Sequence, residues 1–137
     1  MKVYTTNYKN TFIAVADDST VAKGEVPAKK ASDKTIAGLQ FELISKNPYK
    51  YTSDDVLLLI YAQRNELTEE ELADVRKEFF SKGQACLRAS ALGKRYGWGI
   101  HHNAEGKIAI YGCETRAYQD FLNQADIKVV KAMRSKK

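Results

Sequence analysis

The chain has 137 residues, of which 44% are apolar and 28% are charged, as is typical of one globular domain with a single core. No apolar run approaches the ~20 residues of a membrane span, and no apolar stretch follows Lys2, which predicts neither a transmembrane helix nor a signal peptide. Two cysteines are too few for a disulfide framework, so we expect reduced thiols in a cytoplasmic protein.

The net charge of +5 is unevenly distributed along the chain. Residues 82–137 carry 11 Lys/Arg against 4 Asp/Glu, whereas residues 1–81 carry 11 against 13. If the fold keeps the two halves apart, the C-terminal half presents a positive face that attracts phosphates, nucleic acid or an acidic partner. If the fold interleaves the halves, the two charges cancel, and the sequence leaves both outcomes open.

The first predicted elements are a strand, a long loop and a helix. The run Thr11–Ala16 is β-prone and ends at two aspartates, whereas residues 17–34 are polar and irregular, as in a loop that could serve as a lid. Asp33 can cap a helix that ends at Asn47-Pro48 and has apolar residues at Ile36, Leu39, Leu43 and Ile44. The alternation of Leu39, Phe41 and Leu43 also leaves a strand possible.

Two further helices begin at capping motifs. Thr52 and Asp55 form a weak capping box ahead of VLLLIYAQRN, which is apolar on nearly all sides and is therefore predicted to be buried. Thr68 and Glu71 form a full capping box, and Gly83 is the predicted C-terminal stop of that helix. Its spacing predicts buried side chains at Leu72, Val75 and Phe79 and exposed ones at Glu70, Asp74 and Lys77.

Shorter elements are predicted on both sides of a hairpin in the C-terminal part. Ala85–Arg88 is predicted to be a strand, and Ser90 to cap one or two helical turns that end at Gly97. After the hairpin, Thr115 is predicted to cap a helix carrying Tyr118, Phe121 and Leu122. Ile127–Met133 is predicted to be the last strand.

The hairpin itself joins Trp98–His102 to Lys107–Tyr111 through a four-residue connection. The last residue of that connection, Gly106, suits the left-handed position after a type I turn. In this register one face carries Trp98, Ile100, Ala109 and Tyr111, and the other carries Gly97, Gly99, His101, Ile108 and Ile110. Apolar side chains on both faces predict a strand pair that is covered on both sides.

Together these elements predict an α+β fold for a single domain over residues 1–137. We expect a central, mostly antiparallel sheet of about four or five strands with helices packed on it. Residues 134–137 are predicted to form a flexible basic tail. Neither a dinucleotide fingerprint nor a phosphate-binding loop is present in the sequence, and no cofactor is expected.

The segment Lys82–His102 concentrates basic, aromatic and small residues. Arg88 and Arg95 flank a helix start at Ser90, where guanidinium groups and free backbone N–H groups could surround one anion. Aromatic rings nearby could stack on a base or sugar. The predicted ligand-binding residues are Arg88, Ser90, Lys94, Arg95, Tyr96, Trp98 and His101. The alternative is a solvated basic surface around rings that belong to the core.

A small enzyme is the second functional hypothesis. Cys86 could act as a nucleophile activated by His101, and either Asp54 or Asp55 could supply the carboxylate that orients the imidazole. At a helix N-terminus, however, both aspartates have a sufficient structural role as caps. A metal site is not expected, because His101 and His102 point to opposite faces of a strand and the two cysteines lack Cys-x-x-Cys spacing.

Three segments of the chain resemble an uncharacterised bacterial family of small single-domain proteins, catalogued as domains of unknown function. They are NPYKYTSDDVL at Asn47–Leu57, FFSKGQACLRASALGKRYGWGIH at Phe79–His101, and KAMRSKK at the end of the sequence. The resemblance implies a bacterial cytoplasmic domain, and it brings no substrate, cofactor or catalytic residue with it. The leading hypothesis rests instead on the basic and aromatic residues of Lys82–His102, and it is a binding module for an anionic ligand, phosphorylated or nucleic-acid-like.

Overall fold

The computed structural model describes residues 4–27 and 35–134. Within these residues the chain forms an α+β domain, as predicted, with a four-stranded sheet and five α-helices. A 3₁₀ turn at Leu87–Ala89 precedes the fourth helix. In chain order the elements are β1 (Thr11–Ala14), α1 (Ile36–Lys46), α2 (Ser53–Arg64), α3 (Glu69–Phe79), α4 (Ala91–Lys94), β2 (Trp98–His102), β3 (Ile108–Gly112), α5 (Arg116–Leu122) and β4 (Lys128–Lys131).

The sheet has the strand order β3-β2-β1-β4, so the first strand of the chain lies inside it. Strand β1 runs antiparallel to β2 and parallel to β4, and β2 pairs antiparallel with β3. The prediction of a mostly antiparallel sheet with helices packed on it is confirmed. The one parallel pair joins the two ends of the chain, with Thr11 opposite Lys128.

The predicted register of the hairpin is wrong by one residue. His102 pairs with Ile108 rather than with Lys107, so Ile108 and Ile110 share a face with Ile100 and not with His101. The cause is the connection, where Asn103 donates its N–H to the Lys107 carbonyl and Gly106 has a φ of 80°. This left-handed residue adds one position to the second strand, as in a bulged hairpin.

The two faces of the sheet are covered by different numbers of helices. Helices α1 and α4 contact the first face, α2 packs on α1, and the short α5 covers the second face against β1 and β3. The larger cluster of buried side chains includes Ile13, Val56, Leu92, Ile100 and Ile108. The smaller one beneath α5 is formed by Phe12, Ala14 and Tyr118. The prediction of cover on both faces therefore holds, with most of the core on the first face.

Each of the five helices begins at a hydroxyl residue whose side chain accepts a backbone N–H, as N-caps do. These residues are Thr35, Thr52, Thr68, Ser90 and Thr115. Both predicted capping boxes are complete. The prediction of Asp33 as the cap of α1 is wrong, because Thr35 holds that position and Asp33 lies outside the described residues. The strand alternative for this segment is likewise excluded.

Helix α3 forms where predicted but packs more loosely than expected. None of its residues is fully buried, and Leu72, Val75 and Phe79 are only half-buried, because the helix contacts α2 along one side. The predicted stop at Gly83 is also wrong, since the helix ends at Phe79 and the next residue is its C-cap. Phe80 is the buried residue that fixes this end, at 3% exposure.

The predicted strand at Ala85–Arg88 is replaced by an extended segment and the 3₁₀ turn. The segment delivers a single buried side chain, Leu87, to the core, whereas a strand would deliver alternate ones. Residues 17–27 contain no helix or strand, and the rest of the predicted loop, 28–34, lies outside the described residues, as does most of the predicted basic tail. Among the described helices, none has the length and apolar character needed to cross a membrane.

Candidate functional site

The aromatic members of the predicted anion site, Tyr96 and Trp98, lie beneath a strap formed by residues 23–25. The indole N–H of Trp98 donates to the Glu25 carbonyl at 2.8 Å, and the Tyr96 carbonyl accepts the Glu25 N–H at 2.7 Å. The Glu114 carboxylate accepts the Gly24 N–H at 2.9 Å. Trp98 also packs on a ring of α1. These contacts hold the Trp98 ring between the strap and α1, whereas Tyr96 meets the strap only through its main-chain carbonyl.

The basic members of the predicted site lie in different surroundings. Arg88 is half-buried, and its Nε donates to the Lys131 carbonyl on β4 at 2.7 Å. Its own carbonyl accepts the Met133 N–H. Lys94 is half-buried and Arg95 is exposed at the end of α4, and neither makes a side-chain hydrogen bond or ion pair with a described residue. The structure shows no contact that brings Arg88 and Arg95 to one ligand.

His101 lies on the face covered by α5, in a chain of three polar groups. The Tyr49 hydroxyl is 2.8 Å from Nδ1 of His101 and 2.7 Å from the Tyr111 hydroxyl. The imidazole stacks on Phe121, with ring centres 4.2 Å apart. Burial lowers the pKa of His101 and, together with the Tyr111 hydrogen bond, raises that of Tyr49, so the protein environment favours the neutral forms of His101 and Tyr49.

His102 lies on the opposite face and is fully buried. Neither of its ring nitrogens has a hydrogen-bond partner among the described residues, and the Tyr8 ring meets it edge-on at 5.4 Å. Burial lowers the pKa of His102 to about 4, and the nearby backbone of Ile100 and Thr11 offsets only part of that shift. The imidazole is therefore neutral at physiological pH.

Cys86 is on the same side of the sheet as His102, not His101. Its Sγ is 3.4 Å from the Tyr8 hydroxyl. The pKa of Tyr8 is raised by the contact with Cys86 and by burial, and the positive charge of Arg88 opposes the shift. Because the sheet separates Cys86 from His101, the structure does not bring these two predicted catalytic groups together. Both cysteines, Cys86 and Cys113, are free thiols.

The two adjacent aspartates of α2 have separate structural roles. Asp55 completes the capping box with Thr52 and pairs with Arg76 at 3.1 Å. Asp54 is 6% exposed and accepts hydrogen bonds from Thr5 Oγ1, at 2.6 Å, and from both the N–H and Oγ1 of Thr6, at 2.7 Å. Asp54 thus anchors the N-terminal segment, and neither carboxylate faces Cys86 or His101. In the described part of the chain, no three His, Cys, Asp or Glu side chains converge as metal ligands.

A cleft of about 300 Å³, which we call the α1 cleft, lies between the start of α1, helix α2 and residues 84–91. Its walls are mostly apolar or small side chains, and none of the described residues that line it is charged. Cys86 lines one side. A second hollow of about 200 Å³ shares Ile36, Gln40 and Leu57 with the cleft and continues along α2 past Ile60 to Tyr61 and Phe79.

Hydrogen-bond donors are concentrated at the α1 end of this cleft. Ile36 and Ala37 line it and supply the first backbone N–H groups of an 11-residue helix, which have no partner among the described residues. Gln40 is 4% exposed, and its Oε1 accepts from the Ser90 hydroxyl at 2.5 Å. This bond orients the amide, whose nitrogen makes no hydrogen bond to a described residue, and Gln40 is one of the residues that line the cleft.

Ser90 was predicted from the sequence to be a site residue, whereas Gln40 was not. A signal was present, because position 40 lies four residues after Ile36 and four before Ile44, in the apolar stripe of the predicted helix. A polar side chain in such a stripe is predicted to be buried and bonded. Tyr8 and Tyr49 gave no comparable signal, since both lie outside regular elements and reach their partners only through the fold.

The chain was compared with protein families, curated proteins and solved structures. The model of a family of unknown function (DUF6157) matches residues 3–137. No curated protein and no solved structure matches the chain.

Proposed function

The chain belongs to DUF6157, a family of unknown function, and we propose that it is a binding module for a small anionic ligand held in the α1 cleft. The observation that supports this proposal is the group of unpaired donors there, formed by the N–H groups of Ile36 and Ala37 and the Gln40 amide. Helix N-termini attract anions through such N–H groups and through the helix dipole.

Burial strengthens the case for Gln40 as a ligand-binding residue. A buried polar group costs free energy while it lacks a partner, and a bound acceptor removes that cost. Ser90 supports the site by holding the Gln40 oxygen, which leaves the amide nitrogen as the group presented to a ligand. Arg88 adds positive charge near the cleft, because its charge acts on Tyr8, whose hydroxyl contacts Cys86 in the cleft wall.

The alternative of an enzyme based on Cys86, His101 and Asp55 has less support, since these residues lie apart. A cytoplasmic location and a bacterial origin are also part of the proposal, supported by the two free thiols and by the sequence resemblance. Nucleic acid is a less favoured ligand, because the Trp98 ring packs on Phe41 and its indole N–H is held by the strap, which makes this ring less available to stack on a base.

Thermal unfolding of the purified protein with phosphate, sulfate, acetate, nucleotides and short oligonucleotides tests the proposal. A ligand that binds only the folded state stabilises it by about 2.7 kcal/mol at 100 times its dissociation constant. We expect stabilisation by at least one small anion, its loss in Gln40→Met, and its retention in Arg95→Ala, which removes an exposed cation outside the cleft. Equal responses of Gln40→Met and the parent protein would refute the site.

A further inference from the structure

We infer that the ligand of the α1 cleft is a monocarboxylic acid with an apolar body, a conclusion that rests on the proposed anion site and names its ligand class. The donors in the cleft together carry little positive charge. The described residues lining the cleft include no Lys or Arg, and the donors are two backbone N–H groups and one amide. A helix N-terminus acts as roughly half a positive charge. These donors match one negative charge, whereas a phosphate dianion would bring a second charge that none of the described lining residues balances.

The second argument concerns the walls. Beyond the donors, most of the cleft is lined by apolar and small side chains such as Leu57, Leu87 and Ala89. The other polar side chains there are already bonded, since the Gln84 amide donates to the Phe79 carbonyl and the Ser90 hydroxyl bonds to Gln40. Such a surface gains more free energy by covering hydrocarbon than by meeting the hydroxyl groups of a sugar. A volume of about 300 Å³ is at the lower end for small-molecule sites. The body of the ligand is therefore apolar and short.

The second hollow indicates how the ligand is oriented. The second hollow continues from Gln40 and Leu57 to Ile60 and Tyr61, so a chain whose carboxylate meets the α1 donors extends over apolar side chains. Arg64 lines the far end of this hollow, but it is exposed in the last turn of α2. A carboxylate there would stay in water and gain little. The geometry points to the carboxylate at Gln40 and the apolar end near Tyr61.

Isothermal titration of the full chain with acetate, butyrate, hexanoate, neutral hexanamide and inorganic phosphate tests this inference. Each added methylene should tighten binding about fourfold, because one buried CH₂ contributes about 0.8 kcal/mol. Hexanamide should bind at least about fivefold more weakly than hexanoate, since hydrogen bonds to a charged group are stronger than neutral ones by about 1 kcal/mol or more. Phosphate should bind more weakly than hexanoate.

Two matched variants locate the carboxylate. Gln40→Met keeps the side-chain length and removes the donor, so hexanoate should bind at least about tenfold more weakly. Arg64→Gln removes the cation at the other end and should change the affinity less than about threefold. The reverse result would overturn the assigned direction. A thermal melt of each variant checks folding, and the chain-length series on the parent protein tests the inference independently of both.

The outcomes separate this inference from the proposed function. Binding of phosphate in the cleft, lost in Gln40→Met, with no binding of hexanoate would leave the anion site standing and overturn the carboxylic acid. Affinity that does not rise with chain length would overturn the apolar body. Failure of every anion to bind would refute both the site and the ligand class.

Discussion

Replacing His102 by phenylalanine should remove most of the acid sensitivity of this fold between pH 6.5 and 4. His102 is fully buried in strand β2, and its ring nitrogens have no hydrogen-bond partner among the described residues. A proton on this ring would place an unpaired charge in the core, which folded proteins avoid by keeping the group neutral. The unfolded chain has no such constraint and takes up the proton at the ordinary pKa.

The size of the effect follows from the shift in pKa. Burial lowers the pKa of His102 from 6.5 to about 4. One pKa unit corresponds to about 1.4 kcal/mol, so the full loss of stability is about 3 kcal/mol. Above pH 6.5 neither state binds the proton and the contribution is zero. As the pH falls from 6.5 to about 4, only the unfolded state binds it, so the free energy of unfolding decreases through this window.

Urea unfolding at several pH values measures this dependence. Between pH 7 and pH 4, the free energy of unfolding of the parent protein should fall by about 3 kcal/mol more than that of His102→Phe. The acidic groups contribute equally to the pH dependence of both proteins. His101→Phe should retain the steep dependence, which makes it the matched control. The chain has two histidines, so NMR can follow each ring directly. A His102 resonance that titrates near its ordinary pKa in the folded protein would refute this reasoning.

Three further predictions concern packing, the strap and surface charge. Gly99→Ala should lower the free energy of unfolding by about 1–3 kcal/mol, because the added Cβ would meet the rings of Phe12 and Tyr118. Gly83→Ala is the control: nothing lies within 4 Å of its added Cβ, so the free energy of unfolding should change by less than about 0.5 kcal/mol. Chemical unfolding measures both variants. Glu114→Ala removes the acceptor of the Gly24 N–H, so it should free the strap and shift the fluorescence of the single tryptophan, Trp98, to the red. Glu114→Gln keeps an acceptor and should leave the spectrum unshifted. An unshifted spectrum in Glu114→Ala would show that the strap does not depend on this bond. The protein should bind heparin at neutral pH and elute with moderate salt, and passage through the column would show that its two differently charged halves are mixed on the surface.

Local signals in the sequence were enough to predict the elements that begin at capping motifs. Thr52 and Thr68 hold helix starts through bonds to residues three positions away, so the information is contained in one turn. The start at Ser90 and the left-handed Gly106 were predictable for the same reason. The extent to which a helix is buried was not predictable in this way. The loose packing of α3 depends on how much of its row of apolar side chains the rest of the fold covers.

The candidate site was harder to predict, because its geometry depends on contacts between distant segments. The hairpin bulge shifted the register by one residue, which changed which isoleucines accompany His101 and His102. Ser90 was singled out as a helix cap, yet its bond to Gln40 joins residues fifty positions apart. Arg88 was predicted to hold a ligand, and its observed bond is to the β4 backbone. Such pairings follow from topology, which composition and spacing do not specify.

The parallel pairing of β1 with β4 has a consequence for how the chain folds during synthesis. Strand β1 lies between β2 and β4, so neither of its neighbours exists until most of the chain has left the ribosome. Until then its apolar residues Phe12 and Ile13 have no strand to bond with, whereas the helices can already form locally. Until β2 has been synthesised, the nascent protein therefore exposes an unpaired strand, a stage at which chaperone binding would protect it from aggregation.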